Sequence, residues 1–98
     1  MYASVVTAQV LPDKMDEAIR VWQGSVMPAA REQKGFKSAR CLVDRKTDKI
    51  IAVVLWETEA DARATGEGSA FLREQRGRFA SLVTAPAVVE RYEVAAEA

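Results

Sequence analysis

Residues 49–57, KIIAVVLWE, decide how this chain folds. Side chains alternate across an extended strand, so Ile50, Ala52, Val54 and Trp56 share one face while Ile51, Val53 and Leu55 share the other. Both faces are apolar, and a strand of that kind needs cover on each side. Just upstream, Asp44-Arg45-Lys46-Thr47-Asp48 is a charged run of turn-formers without an apolar anchor, and before it Phe36 to Val43 is a second strand-like run. The two runs read as a hairpin.

Further outward, Tyr2 to Val10 is rich in β-branched and small apolar residues and ends at Leu11-Pro12. Asp13, with Asp16 three positions on, is the expected N-cap of a helix. Along that helix Met15, Ala18, Ile19, Trp22 and Val26 recur at three- and four-residue spacing, which makes one face apolar. Pro28 falls inside the periodic stretch. It has no N–H and its ring crowds the carbonyl of Gly24, an interruption worth about 3 kcal/mol that predicts a kink between Gly24 and Pro28. Arg31 and Lys34 suit the negative end of the helix dipole, and Gly35 is the left-handed residue expected past it.

After the hairpin, Thr58 caps a short helix with Asp61 at the capping-box position. Gly66-Glu67-Gly68 breaks it, and Ser69 caps a second segment that should reach about Leu82. Pro86 then opens a final strand, Ala87 to Val94. The order is β, α, β, β, α, β, an α+β ferredoxin-like sandwich with a four-stranded antiparallel sheet, and the reading takes residues 1–98 as a single domain. Right-handed crossovers put both helices on one side of that sheet. The other side, carrying Ile51, Val53 and Leu55, would be a larger apolar patch than a monomer tolerates, so the expected partner is a second copy packed sheet to sheet, a dimeric α/β barrel.

Composition narrows the chemistry. Apolar residues make up 49% of the 98, enough for a packed core, and 14 basic against 14 acidic residues leave no net charge to draw nucleic acid or a membrane surface. No run approaches the about 18 apolar residues of a membrane span, and the first residues lack a secretory pattern, so the expected location is the cytoplasm. Histidine and asparagine are both absent, and there is one cysteine, Cys41. A Ser-His or Cys-His nucleophile cannot be assembled, a zinc site would need carboxylates alone, and no glycine-rich phosphate loop follows a strand. Neither metal nor cofactor is expected. Cys41, with no neighbour to lower its pKa, reads as an inert small hydrophobe.

Several local stretches carry a resemblance: the first strand running into a Pro-Asp helix start, the Gly35-Phe36 step, Leu55-Trp56-Glu57-Thr58, and the ending Arg91-Tyr92-Glu93-Val94. Together with the element order they resemble the antibiotic biosynthesis monooxygenase domain of the dimeric α/β-barrel superfamily, over nearly the whole chain. The resemblance implies a homodimer with a pocket between sheet and helices in each subunit. In active members it implies cofactor-independent oxidation of an electron-rich aromatic by O₂. Haem-degrading relatives use an Asn on the first strand, a Trp in the position of Trp56, and a His on the second helix. Here Val6 and Thr7 stand where the Asn would be and Gln75 about where the His would be, which disfavours haem chemistry.

The candidate catalytic residues are Trp56, Gln75 and Arg40, and the candidate substrate contacts are Trp22, Phe71, Phe79 and Tyr92. Trp56 is either a large core residue or a pocket wall. Gln75 lies four residues from both Phe71 and Phe79, so its amide is either buried on the apolar helix face, in need of hydrogen-bond partners, or turned to solvent. Arg40 shares a strand face with Phe36, Ser38 and Leu42, and either enters the dimer interface or pocket or pairs with a carboxylate. Tyr92 is a phenolic donor or a dimer-packing residue. Trp22 continues the apolar helix stripe. Two functions follow: oxidation of a small polyketide- or quinol-like aromatic, or a non-catalytic dimer that binds a small hydrophobic molecule or acts as a structural module.

Overall fold

A computed structural model describes residues 1–98. Strands β1 (Tyr2–Gln9), β2 (Phe36–Asp44), β3 (Lys49–Trp56) and β4 (Val88–Glu93) form one antiparallel sheet in the order β2-β3-β1-β4. Helices α1 (Met15–Val21), α2 (Met27–Arg31), α3 (Glu59–Ala64) and α4 (Ala70–Phe79) complete the βαββαβ, ferredoxin-like arrangement. The alternation read from residues 49–57 is present in β3. Ile50, Ala52, Val54 and Trp56 are buried, whereas Ile51, Val53 and Leu55 are half-buried. No helix is long and apolar enough to cross a membrane.

The first helical stretch differs from expectation at its start and is interrupted ahead of Pro28. Asp13 does not cap it: its φ is +65°, a left-handed turn conformation, and the helix begins after Lys14 with no side-chain cap. Asp is among the few residues that adopt this conformation readily, and here it turns the chain out of β1. Ahead of Pro28 the helix widens. Residues Trp22–Val26 form a π-helical segment joining α1 to α2, in which the Met27 N–H donates to the Trp22 carbonyl five residues back. A widened turn just ahead of a proline relieves the crowding its ring imposes on the preceding carbonyls, and Pro28 then occupies the first turn of α2, where no N–H is missed. Met15, Ala18, Trp22 and Val26 remain buried along one face through the change of pitch.

The split second helical stretch is as read. Thr58 Oγ1 accepts from the Asp61 N–H at 3.1 Å and Ser69 Oγ from the Leu72 N–H at 3.0 Å, and Gly68 has φ +84° in the break between them. Helix α4 ends at Phe79, short of Leu82, because the chain there is taken up by backbone pairing with the end of β1. The Leu11 N–H donates to the Leu82 carbonyl, Val10 bridges Val83, and the Thr84 N–H donates to the Gln9 carbonyl. Gly35 has φ +82°, and its missing Cβ leaves room for the buried Asp61 side chain, whose Oδ2 lies 2.0 Å from where a Cβ would stand.

A β-bulge in β2 alters one sequence reading. Phe36 pairs with Trp56 but Ser38 pairs with Leu55, so Lys37 is an extra residue and the alternation changes parity there. Phe36 faces the helices, edge-on to Trp56 at 6.0 Å between ring centroids. Ser38, Arg40 and Leu42 lie across from Leu55, Val53 and Ile51 on the helix-free face. Arg40, Val53, Val5 and Glu90 thus form one row across the sheet.

Candidate functional site

The helix-facing core has two parts. One gathers Val10, Met15, Ala18, Trp22, Val26, Ile50, Ala52 and Leu82, and the other Val54, Trp56 and Ala62. Between sheet and helices lies a cavity of about 480 Å³ that both parts help to line. Its floor is the inward face of β1 and β3, where Ser4, Val6 and Ala8 are small and leave depth, and Trp56 closes one end. The π-helical segment brings Trp22 and Val26 to one wall, α4 brings Phe71, Gln75 and Phe79 to another, and the run Val83–Ala87 forms a third. Trp22 and Phe79 brace each other at 5.7 Å between centroids.

The polar groups are few and mostly committed. The Trp56 indole N–H donates to Ser4 Oγ at 3.1 Å, a buried bond that locks the ring plane against β1. Thr65 Oγ1 donates to the Ala62 carbonyl at 3.1 Å. Arg76, the one charged residue on the wall, donates from Nε (3.2 Å) and Nη2 (2.6 Å) to the Ala87 carbonyl, and its guanidinium also pairs with Glu67. Gln75 differs: it is only 6% exposed and its Oε1 has no hydrogen-bond partner. A buried acceptor left unpaired costs about 1–3 kcal/mol. No three metal-ligating side chains come together.

Of the sequence candidates, the cavity brings together Trp56, Gln75, Trp22, Phe71 and Phe79. Gln75 is buried, not turned to solvent, and Trp56 is at once core and wall. Two candidates lie elsewhere. Arg40 is on the helix-free face because the bulge at Lys37 reverses its side relative to Phe36. Tyr92 pairs with Ala3 on that same face of β4 and is half-exposed, and its hydroxyl is held above the usual phenol range by a hydrogen bond to the Glu90 carboxylate and by that charge. The cavity's own arginine is Arg76, and its buried hydroxyl is Ser4. Neither was singled out from the sequence, although Ser4 is legible as the polar residue of inward parity in an apolar strand. Cys41 lies outside the cavity wall, and burial pushes its thiol pKa up.

No protein-family model matches the chain. The uncharacterized proteins Rv2558 and Rv2557 of Mycobacterium tuberculosis are 34% identical over 95 residues and 31% identical over 96. Those matches cover 97% and 98% of this chain but 39% and 42% of the relatives, so the chain spans about two-fifths of the curated proteins it matches. Among solved structures, a monooxygenase from the gene ActVA-Orf6 of Streptomyces coelicolor, in complex with the ligand Nanaomycin D, superposes with a TM-score of 0.80 at 22% identity. It covers 99% of this chain and 89% of that one. A crystal structure of an antibiotic biosynthesis monooxygenase gives 0.73 at 12% identity over 98% and 100%. At these identities the likeness establishes the fold, and the resemblance read from the sequence holds at that level: the fold is antibiotic biosynthesis monooxygenase-like.

Proposed function

We propose that residues 1–98 act as one domain that takes a small aromatic, polyketide- or quinol-like molecule into the cavity between sheet and helices and oxidises it with O₂ without a cofactor. The observation that carries this reading is the cavity itself, an aromatic-walled space of a size that holds small ligands, with a fully buried polar atom, Gln75 Oε1, left without a partner. The monooxygenase of the same fold that holds Nanaomycin D lends support from outside the chain.

The chemistry that fits is the conversion of a ring C–H para to a hydroxyl into a quinone carbonyl. One oxygen atom of O₂ becomes the carbonyl, the other leaves as water with the two hydrogens lost from the ring carbon and the hydroxyl, and the substrate supplies the four electrons. Trp56, Trp22 and Phe79 would hold the ring and exclude water, while Gln75 orients it. The cavity wall offers no carboxylate, lysine or tyrosine as a general base, so the substrate must bring its own electron richness.

That same lack of a base favours a second reading, in which the cavity binds such a molecule and performs no chemistry. Oxygen uptake separates the two. Purified protein with a panel of anthrones and naphthols whose carbon para to the oxygen is unsubstituted should consume O₂ and release quinone in proportion to protein. Binding without uptake across the panel would sink the oxygenase and leave the binder. In either reading the protein acts as a homodimer through the helix-free face. Val53, Val5, Leu55 and Ile51 are apolar there, and Leu42 and Val88 are exposed at its edges.

A further inference from the structure

The polar inventory of the cavity constrains its ligand more tightly than its shape does. The Trp56 indole N–H is used by Ser4, the Thr65 hydroxyl by Ala62, and the Arg76 guanidinium by Ala87 and Glu67. Among the fully buried side-chain polar atoms, the one left without a partner is an acceptor, Gln75 Oε1. Helix α4 sets it there: Phe71 and Phe79, one turn on either side, share its face, and the amide has apolar neighbours along its own helix. An acceptor in such surroundings selects for a ligand that donates, and selects against one that presents another acceptor or a negative charge at the same point.

We propose that Gln75 is the specificity-determining residue of the cavity, and that its Oε1 receives the hydroxyl proton of a neutral phenolic ligand. The inference rests on the cavity being the small-aromatic site described above and adds the class: a free, protonated phenol, neither its O-methyl ether nor its phenolate. Arg76 does not rescue an anion, since Glu67 already balances its charge. Accepting the phenol's hydrogen bond also raises electron density on the ring, the direction in which loss of electrons to O₂ becomes easier.

The test is equilibrium binding of 1-naphthol and 1-methoxynaphthalene, which share a ring system and differ at the hydroxyl. Binding is measured under nitrogen, so that no turnover occurs, through quenching of Trp22 and Trp56 fluorescence. The unaltered protein should prefer the naphthol by about tenfold, the worth of one buried hydrogen bond and its otherwise unpaired acceptor. Its affinity should also fall as pH rises through the naphthol's own pKa. Gln75→Leu, similar in size and apolar, should bring the preference to about one while still binding the ether, so a misfolded variant is recognised by loss of both. Equal binding of both compounds by the unaltered protein, or a preference that survives Gln75→Leu, overturns the assignment to Gln75 and leaves the aromatic site standing. Binding of neither compound overturns the site as well.

Discussion

Replacing Ser4 with alanine removes one oxygen atom and leaves a well-defined fault. Ser4 is 5% exposed and Trp56 2% exposed, and the indole N–H has Ser4 Oγ at 3.1 Å as its partner. With the hydroxyl gone, the N–H faces an apolar floor of Val6 and Val54 and stays buried, so the loss includes the desolvation of an unpaired donor. That places the cost at about 1–3 kcal/mol, against less than about 0.5 kcal/mol for an exposed serine. In urea, at a slope of about 2 kcal/mol per molar, the midpoint should fall by about 0.5–1.5 M, and Tm by about 5–20 °C for a chain of this length. The assay is equilibrium unfolding followed by far-ultraviolet circular dichroism at one fixed protein concentration, since a self-associating protein changes apparent stability with concentration. Trp56→Phe removes the donor and much of the ring, and the double variant tests the bond itself. Once the indole is gone, Ser4→Ala should cost under about 0.5 kcal/mol, giving a coupling of about 1 kcal/mol or more. A midpoint unmoved by Ser4→Ala, or strictly additive single and double variants, would show that this bond does not hold the cavity floor.

Gly35→Ala should be among the most damaging single changes, because its Cβ would stand 2.0 Å from Asp61 Oδ2 at φ +82°. Adding Asp61→Ala removes the contacts to Oδ2 and Cγ but leaves the residue-61 Cβ 2.7 Å from the new one, so the pair should recover only part of the loss, with the backbone cost of about 1 kcal/mol also remaining, as thermal unfolding would reveal. Arg76→Ala should cost about 1.5–3 kcal/mol by freeing the Ala87 carbonyl. It should also speed amide exchange in the run before β4 more than in β1 or β3, and uniform acceleration would refute its role as a local tie. Val53→Asp, at the centre of the helix-free face, should convert a dimer to monomer in sedimentation, and an unchanged mass would rule out that face as the interface. Cys41, held protonated by burial, has less thiolate at any given pH than a free thiol. Its alkylation at pH 8 should therefore be slower than that of glutathione, and an equal rate would refute the burial argument.

The parts of the fold legible in the sequence are those written in periodicity. Residues 49–57 alternate in the structure as they do on the page, and the stripe from Met15 to Val26 stays buried. What periodicity does not encode is a one-residue change of phase. A bulge at Lys37 puts Arg40 on the opposite side of the sheet from Phe36, and a π-helical segment interrupts the first helical stretch just ahead of Pro28. Asp13 looked like a cap by composition but serves a left-handed turn. Gln75 was legible as a problem, a polar residue on an apolar face. Its missing partner was not, because that depends on which neighbouring polar atoms are already spent.

The cavity itself follows from small residues in places where large ones would fill it. On the floor the inward side chains of β1 are Ser4, Val6 and Ala8, and the third wall includes Ala85, Pro86 and Ala87, none able to reach across. The π-helical segment accommodates Pro28 while Trp22 and Val26 both stay on the cavity side. A core divided in this way forgoes packing that a filled one would gain, and the shortfall grows with the volume left unfilled. A ligand that fills the space and satisfies Gln75 Oε1 offsets part of it, because binding to the folded state alone adds stability as RT ln(1 + [L]/Kd), about 2.7 kcal/mol at a hundredfold excess over Kd. The free protein should therefore be the less stable form by several degrees in Tm. The phenol should raise Tm more than its methyl ether at equal concentration, and Gln75→Leu should stabilise the free protein while narrowing that difference. If the ether stabilises as well as the phenol, the unpaired acceptor has no bearing on what the cavity holds.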